Sequence, residues 1–308
     1  MYDIIIIGAG PAGMTAALYG ARAGKKVCLM EKEFPGGQIV NSPLVENYPA
    51  LPGINGADFA LQLQEQVTAL GVEVAYTEAA SLEKQGDLFR VNGDDALQAP
   101  AVILATGVHH RGLGLENEEA LVGAGISFCA VCDGAFYRDR TATVIGGGDT
   151  ALQDAVYLSA LCKKVYVIHR REAFRAAQAL VKKARSKSNI EFVTPYAPLK
   201  YLTRDGVICG LEVEHKEDGS LRTLETDGIF LAVGQSPDLA FAADLAPLTP
   251  QGYAAAGEDC RSHVPGLFIA GDCRDKQVRQ LTTAVGDGAV AATLACEYID
   301  SIDFLENN

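Results

Sequence analysis

One pattern occurs twice in this chain and limits the folds open to it. In each copy an apolar strand runs into a glycine-rich loop and then a helix. In the first, Ile4-Ile5-Ile6-Ile7 leads into Gly8-Ala9-Gly10-Pro11-Ala12-Gly13, and a helix-like stretch continues to about residue 23. A second strand over 26–30 then ends at Glu31. In the second copy, Ala142-Thr143-Val144-Ile145 leads into Gly146-Gly147-Gly148-Asp149-Thr150-Ala151. Its helix reaches about residue 161, and its second strand, 165–168, ends at His169. A lone glycine fingerprint says little, but here each follows a strand and opens a helix, the context that gives it meaning. The repeat predicts an α/β chain with two Rossmann-like dinucleotide-binding domains.

The glycines let the backbone turn sharply and approach a pyrophosphate, and the helix start offers free N–H groups to that anion. A tight turn without a ligand is the plain alternative. The strand ends narrow the choice of ligand. Glu31 lies about 20 residues beyond Gly8, where an acid accepts from a ribose 2′-hydroxyl, as in FAD or NAD. At the same offset from Gly146 stands His169, followed by Arg170, Arg171 and Arg175. A carboxylate there would repel a 2′-phosphate, whereas arginines pair with it. The second site therefore reads as one for NADPH, against the alternative of a solvated basic segment.

Each copy later gains an apolar strand ending in glycine, Val102 to Gly107 and Ile229 to Gly234, and a third such run, Leu267 to Asp272, comes near the end. The simplest arrangement returns the C-terminal segment to the first domain. The expected domains are 1–111 with 246–308, and an inserted 112–245, with boundaries in Gly- and Pro-containing stretches. A length of 308 residues fits two ordinary domains.

Several function classes fall away. The net charge of −13 argues against a nucleic-acid binder, which needs a basic surface. No run of 18 apolar residues suggests a membrane span. Met1-Tyr2-Asp3 leads straight into a strand, so no export signal is expected, and the chain fits a cytoplasmic protein. Most of its eight cysteines should then be reduced. Cys28 and Cys162 sit in or beside apolar runs and read as core thiols.

Cys129-Ala130-Val131-Cys132 is the one Cys-x-x-Cys. On a helical turn, positions i and i+3 lie about 5–6 Å apart, a spacing that a disulfide can bridge. Such thiols often have lowered pKa values, and Asp133 can pass a proton to or from a thiolate. Two alternatives stay open. Half a zinc site needs other ligands; His109 and His110 are the nearest, yet no metal is expected. Two inert buried thiols are the other.

With these motifs in order, the chain resembles the low-molecular-weight thioredoxin reductases, class II of the pyridine nucleotide-disulfide oxidoreductases. The likeness runs through Gly8 to Gly13, Gly36-Gly37-Gln38, Glu46-Asn47-Tyr48-Pro49, Cys129 to Gly134, His169-Arg170-Arg171 and Gly271-Asp272. The resemblance implies FAD in the discontinuous domain, bordered by Glu31, Lys32 and Gly36 to Gln38, with Asn47, Thr106, Gly107, Asp272, Arg279, Gln280 and Leu281 around it. A helix over 282–292 would point its start at the flavin. NADPH would occupy the inserted domain. Cys132 would face the flavin, Cys129 would attack the partner, and Asp133 would be the acid/base. Electrons would run from NADPH through FAD to the Cys129–Cys132 disulfide and on to thioredoxin, in a homodimer.

Nicotinamide and Cys pair both need the flavin, yet both lie in the inserted domain. The family answers this by domain rotation, which places hinges near 112 and 245. The chain departs from the family at His109-His110, at 114–118 and at Gln153-Asp154. Other readings are a reductase of a peroxiredoxin or glutaredoxin-like protein, or a non-catalytic redox-sensing flavoprotein. The peroxiredoxin-reducing relatives carry an N-terminal thioredoxin-like region that this sequence is not expected to have. Relatives without nicotinamide lose the second glycine loop and its arginines, which stand here.

Overall fold

The structure is a computed structural model and describes residues 1–42, 44–51, 53–92 and 97–306. The chain divides into two compact units, Met1–His109 with Ser236–Asn308, and His110–Gln235. The first unit opens with β1 (Ile4–Ile7), α1 (Pro11–Arg22), β2 (Val27–Glu31), α2 (Gly56–Ala69) and β3 (Glu73–Tyr76). Three short strands follow, β4 (Leu82–Gln85), β5 (Leu88–Val91) and β6 (Leu97–Ala99), and then β7 (Ala101–Leu104). β8 (His109–His110) marks the first crossing. The second unit holds α3 (Glu118–Leu121), β9 (Ile126–Ser127), α4 (Ala130–Asp133), β10 (Thr141–Ile145), α5 (Asp149–Ser159), β11 (Lys164–Ile168), α6 (Gln178–Arg185) and β12 (Ile190–Val193). It continues with β13 (Tyr196–Arg204), β14 (Val207–His215), β15 (Leu221–Glu225) and β16 (Gly228–Leu231). After β17 (Gln235–Ser236), at the second crossing, β18 (Leu267–Ile269) and α7 (Leu281–Glu306) complete the first unit.

In the first unit five parallel strands run in the order β18-β7-β1-β2-β3. β1 sits at the centre, and all four of its isoleucines are buried. A strand covered on both faces reads as a continuous apolar run, so Ile4 to Ile7 shows no alternation. Ile4 and Ile6 pack with Met14 and Ala17 of α1 and with Ala291 and Ala295 of α7. Ile5 and Ile7 pack on the opposite face with Phe89 and Val91 of β5. Burying such a side chain contributes roughly 1.5–3 kcal/mol.

The second unit repeats this plan as β12-β11-β10-β16-β9, again parallel throughout. Val144 faces Leu152, Ala155 and Leu158 of α5. Ile145 faces Tyr201, Leu211 and Leu224 of the antiparallel β13-β14-β15 sheet. The repeat thus extends beyond the glycine loops. In each unit a three-stranded antiparallel sheet, β4-β5-β6 or β13-β14-β15, covers the face opposite the helices.

Three glycines let these layers close. A Cβ on Gly13 would lie 1.8 Å from the Gly8 oxygen, and one on Gly8, at φ +105°, would lie 2.5 Å from the Ala105 oxygen. In the second unit a Cβ on Gly146, at φ +158°, would meet the Ala232 oxygen at 2.4 Å. Only a residue without a side chain permits that approach.

The second crossing falls at 235–236 and not near 245. Leu239, Ala242 and Ala246 are buried with Ile5 and Val102 in the first unit, so packing moves the boundary earlier than the Gly- and Pro-containing stretch suggests. Among the described residues no helix is long and apolar enough to cross a membrane.

Asp154, half-buried on α5, is the carboxylate whose environment departs most plainly from water. Burial pushes its carboxyl from 3.8 up to about 7. The folded state therefore keeps a proton that the unfolded chain has released. Stability of the second unit should fall as pH rises from about 4 to about 7 and level off above, with a slope of at most about 1.4 kcal/mol per pH unit. Hydrogen exchange of amides in 110–235 across this range checks it. Asp154→Asn should flatten the slope; an unchanged slope contradicts the assignment.

Candidate active site

The first glycine loop is held from several sides. Glu31, at the end of β2, accepts from the Ala9 N–H at 2.8 Å and from the Glu33 N–H at 3.0 Å. Gly36 donates its N–H to the Ala9 oxygen at 2.8 Å. A Cβ on Gly37 would sit 3.3 Å from Gly10 Cα, so the segment with Gly36, Gly37 and Gln38 runs beside the loop. Thr106 and Gly107 follow β7 and approach it from the other side, since a Cβ on Gly8 would be 3.1 Å from Thr106 Cα. α1 begins at Pro11 with no side-chain cap from Gly10, leaving its first N–H groups open to an anion. Ala12 lies in that first turn, and a Cβ on Gly271 would touch its methyl at 2.8 Å.

The segment from Gly271 to Leu281 completes this cradle, and a buried charge cluster holds it in place. Asp287 of α7 accepts from Gly271 N–H at 3.0 Å, Arg274 Nε at 3.2 Å and Nη2 at 3.1 Å, and Lys276 Nζ at 3.0 Å. The Arg274 and Lys276 side chains are 4% and 6% exposed, so the carboxylate meets two cations with little water. Arg279 donates to the main-chain oxygens of Asp272 and Arg274, each at 3.1 Å, and lies 4.0 Å over the Tyr253 ring. Asn47 donates to Gln280 Oε1 at 3.1 Å, and α7 starts at Leu281.

Two polar atoms in this cradle fit a bound group. Asp272 Oδ1 and Thr106 Oγ1 are buried and have no hydrogen-bond partner among the described residues. Burial pushes the Asp272 carboxyl up, while Lys276 and Arg279 pull against it. Buried polar atoms are rarely left unsatisfied, and a ligand rich in hydroxyls and phosphates would satisfy both. Lys32 is turned elsewhere, with its ammonium 3.3 Å from Asp238 and 3.8 Å from Glu78.

In the second unit α5 also starts uncapped, with Gly148 before Asp149 and Thr150. The basic segment is laced to this loop. Arg175 and Ala176 donate their N–H groups to the Gly147 oxygen at 2.8 and 3.2 Å, and Asp149 accepts from the Ala177 N–H at 2.8 Å. Arg170, Arg171 and Arg175 are all exposed. His169 is buried, and a Cβ on Gly147 would fall 2.3 Å from its ring. Burial first, then the arginines, hold its pKa below the usual value. A neutral histidine beside three free guanidiniums suits a 2′-phosphate.

Cys129 and Cys132 form a disulfide with Cα atoms 5.3 Å apart. Gly125, at φ +120°, precedes β9 and has no room for a Cβ, which would lie 2.6 Å from Ile208. Cys129 caps α4, its Sγ accepting from the Cys132 N–H at 3.2 Å. Both cysteines are half-buried. Asp133 ends α4, and burial raises its carboxyl pKa while a hydrogen bond from Ser127 lowers it. Among the described residues no group of three or more His, Cys, Asp or Glu can hold a metal. His110 instead stacks on Phe128, with centroids 4.4 Å apart. Cys28 and Cys162 are buried free thiols, each pushed up to about 11 by burial.

Sequence reasoning missed Ser127, Arg274, Lys276 and Asp287. For Asp287 a signal existed: an acid between two glycines, ten residues before the next acid of α7, Glu297. Replacing it by alanine leaves two buried cations without their carboxylate. Asp287→Ala should destabilise the first unit by about 3–5 kcal/mol. Hydrogen exchange should show faster opening of first-unit amides and no change in 110–235; equal protection in both proteins contradicts this.

Comparison with known proteins agrees with this geometry. The family model described as pyridine nucleotide-disulphide oxidoreductase matches residues 2–288. A thioredoxin reductase of Listeria monocytogenes is 39% identical over 304 residues, covering 98% of this chain and 95% of the relative. The crystal structure of thioredoxin reductase from Streptococcus pyogenes matches with a TM-score of 0.94 at 39% identity, covering 98% of this chain and 99% of that one. A thioredoxin reductase from Giardia duodenalis matches with a TM-score of 0.91 at 33% identity, over 97% and 99%. By family model, sequence and fold alike, the chain belongs to the pyridine nucleotide-disulphide oxidoreductase family, in its thioredoxin reductase branch.

Proposed function

We propose that this chain is an NADPH-dependent flavoprotein disulfide reductase that reduces the disulfide of thioredoxin. The observation that carries the reading is the Cys129–Cys132 disulfide on a turn shared with the half-buried Asp133 carboxylate, in the same unit as a glycine loop flanked by three exposed arginines. FAD held by the first unit and NADPH held by the second would supply hydride and electron-pair transfer when bound. Gly8 to Gly13, Glu31, Gly36 to Gln38, Asn47, Thr106, Gly107, Asp272 and Arg279 to Leu281 would hold the first; Gly146 to Thr150, His169, Arg170, Arg171 and Arg175 would hold the second. Lys32, paired with Asp238, contributes charge at the edge of the first site.

The chain's own chemistry lies at the Cys pair. In the disulfide the Cys132 N–H faces Cys129 Sγ at 3.2 Å, and the same contact kept in the dithiol form would stabilise a thiolate there. Cys129 attacks one sulfur of the partner disulfide; the S–S bond breaks, and its electron pair leaves on the other sulfur. Cys132 then attacks Cys129, closes the pair and releases the second partner thiolate. Asp133 exchanges a proton with the sulfur beside it. A homodimer and a cytoplasmic setting come with this reading and rest on the family likeness.

Anaerobic titration with NADPH and with NADH, followed by turnover with and without thioredoxin, tests the reading. Rapid bleaching by NADPH alone, with turnover that requires thioredoxin, is the expected result. Arg170→Ala combined with Arg175→Ala should raise the KM for NADPH roughly tenfold or more, as charge-assisted bonds are lost. Preference for NADH would overturn the nucleotide assignment, and a Cys132→Ser protein that still reduces thioredoxin would overturn the role of the pair.

A further inference from the structure

Ser127 joins both reactive positions of the Cys turn through one hydroxyl. It is buried at the end of β9, two residues before Cys129. Its Oγ lies 2.6 Å from Asp133 Oδ2, 3.1 Å from the Cys129 nitrogen and 3.4 Å from the Cys129 oxygen. A hydroxyl has one proton to give. The 2.6 Å contact claims it for Asp133, and the oxygen accepts from the Cys129 N–H. The second Asp133 oxygen, Oδ1, is buried without a hydrogen-bond partner among the described residues.

We propose that Ser127 is a positioning residue for the proton step of disulfide exchange, setting the orientation and acidity of Asp133 while fixing the backbone of Cys129. The inference rests on the reading of Cys129 and Cys132 as the exchange pair. The step itself is simple. A proton leaves the Asp133 carboxyl for a thiolate sulfur, leaving a carboxylate and a thiol; no electrons change owner. The Ser127 hydroxyl stabilises the carboxylate that remains, so it favours donation. Without it the carboxylate stands in the same dry place with no donor. The N–H of Cys129 loses its acceptor at the same stroke.

Other titratable groups lie close and must be separated from Asp133. The cysteines share its turn. Tyr137 follows α4 and stays neutral up to about 12. α5 packs against α4 and carries Tyr157 and Asp154, the latter held protonated up to about 7. Replacing Asp133 itself distinguishes its titration from theirs.

The test compares holoenzymes of the wild type, Ser127→Ala, Ser127→Thr, Asp133→Asn and Ser127→Ala/Asp133→Asn. One readout is the pH profile of kcat with thioredoxin. The other is the pH profile of iodoacetamide alkylation after chemical reduction to the dithiol, which needs neither NADPH nor thioredoxin. In Ser127→Ala the limb that Asp133→Asn abolishes should move up by about one pH unit in both profiles, as a charge-assisted bond is lost. The KM for thioredoxin should stay within about twofold, because Ser127 is buried away from the partner. Ser127→Thr, which keeps the hydroxyl, should restore the wild-type profile, and the double variant should match Asp133→Asn. Superimposed profiles of wild type and Ser127→Ala overturn the proposal. So does a Ser127→Ala effect of full size in the Asp133→Asn background, which would place the action on the Cys129 backbone alone. If the wild type fails to turn over thioredoxin, the exchange reading falls, and the alkylation profiles still decide whether Ser127 governs Asp133.

Discussion

Backbone rests on backbone where α1 meets the loop before it. At Gly13 there is no room for a side chain, and the same holds at Gly8 against Ala105 and at Gly288 of α7, where a Cβ would lie 2.2 Å from the Ala12 oxygen. These contacts bring β1, β7, α1 and α7 to one point. Everything that surrounds the first cofactor cradle is measured from that point: the end of β2 with Glu31, the segment through Gly36 to Gln38, and the turn at Gly271. The second unit meets the same demand at Gly146, pressed against Ala232 and Ala151. Close packing of this kind leaves helix N–H groups uncovered by side chains, and that is what makes the same turn useful for pyrophosphate.

Three carboxylates, Asp287 buried and Asp272 and Asp133 half-buried, show how environment divides labour among like groups. Asp287 is paired with two cations and a backbone N–H and serves as a structural anchor. Asp272 lies within reach of Lys276, at 3.6 Å, yet keeps one oxygen without a hydrogen bond. Asp133 has a hydroxyl and no cation, and its proton is correspondingly easier to keep. Charge pairing suits a residue that must not change state; a single neutral donor suits one that must.

Features written in a few consecutive residues were legible in the sequence. The glycine loops, each between a strand and a helix, the Cys turn and the strand ends at Glu31 and His169 belong to this class, because their local structure follows from neighbouring residues. The insertion of one unit in the other followed from the third apolar run at 267–272. Features that depend on how a turn closes or how distant elements meet were not legible. Ser127 gains meaning only when the Cys turn brings Asp133 to its hydroxyl, and Asp287 only when α7 meets the Arg274 turn. The Gly and Pro content near 245 pointed to a boundary, but the burial of Leu239 and Ala242 put the crossing at 235–236. Lys32 follows Glu31 in sequence, and its ammonium lies 3.3 Å from Asp238, a pairing that only the fold brings about.

The discontinuity of the first unit bears on the order in which the protein is made. Its sheet takes its edge strand from Leu267–Ile269, and its central helix pair needs α7, so both depend on a stretch made after residues 110–235. Residues 110–235 emerge earlier and contain every strand of their own sheet. The inserted unit has all its parts while the first still shows an unpaired β7 edge and the uncovered face of α1. Domains fold as units during synthesis, so the unit that begins first is the one that closes last. Asp287, made later still, locks the turn at Gly271 only after the inserted unit has all its strands.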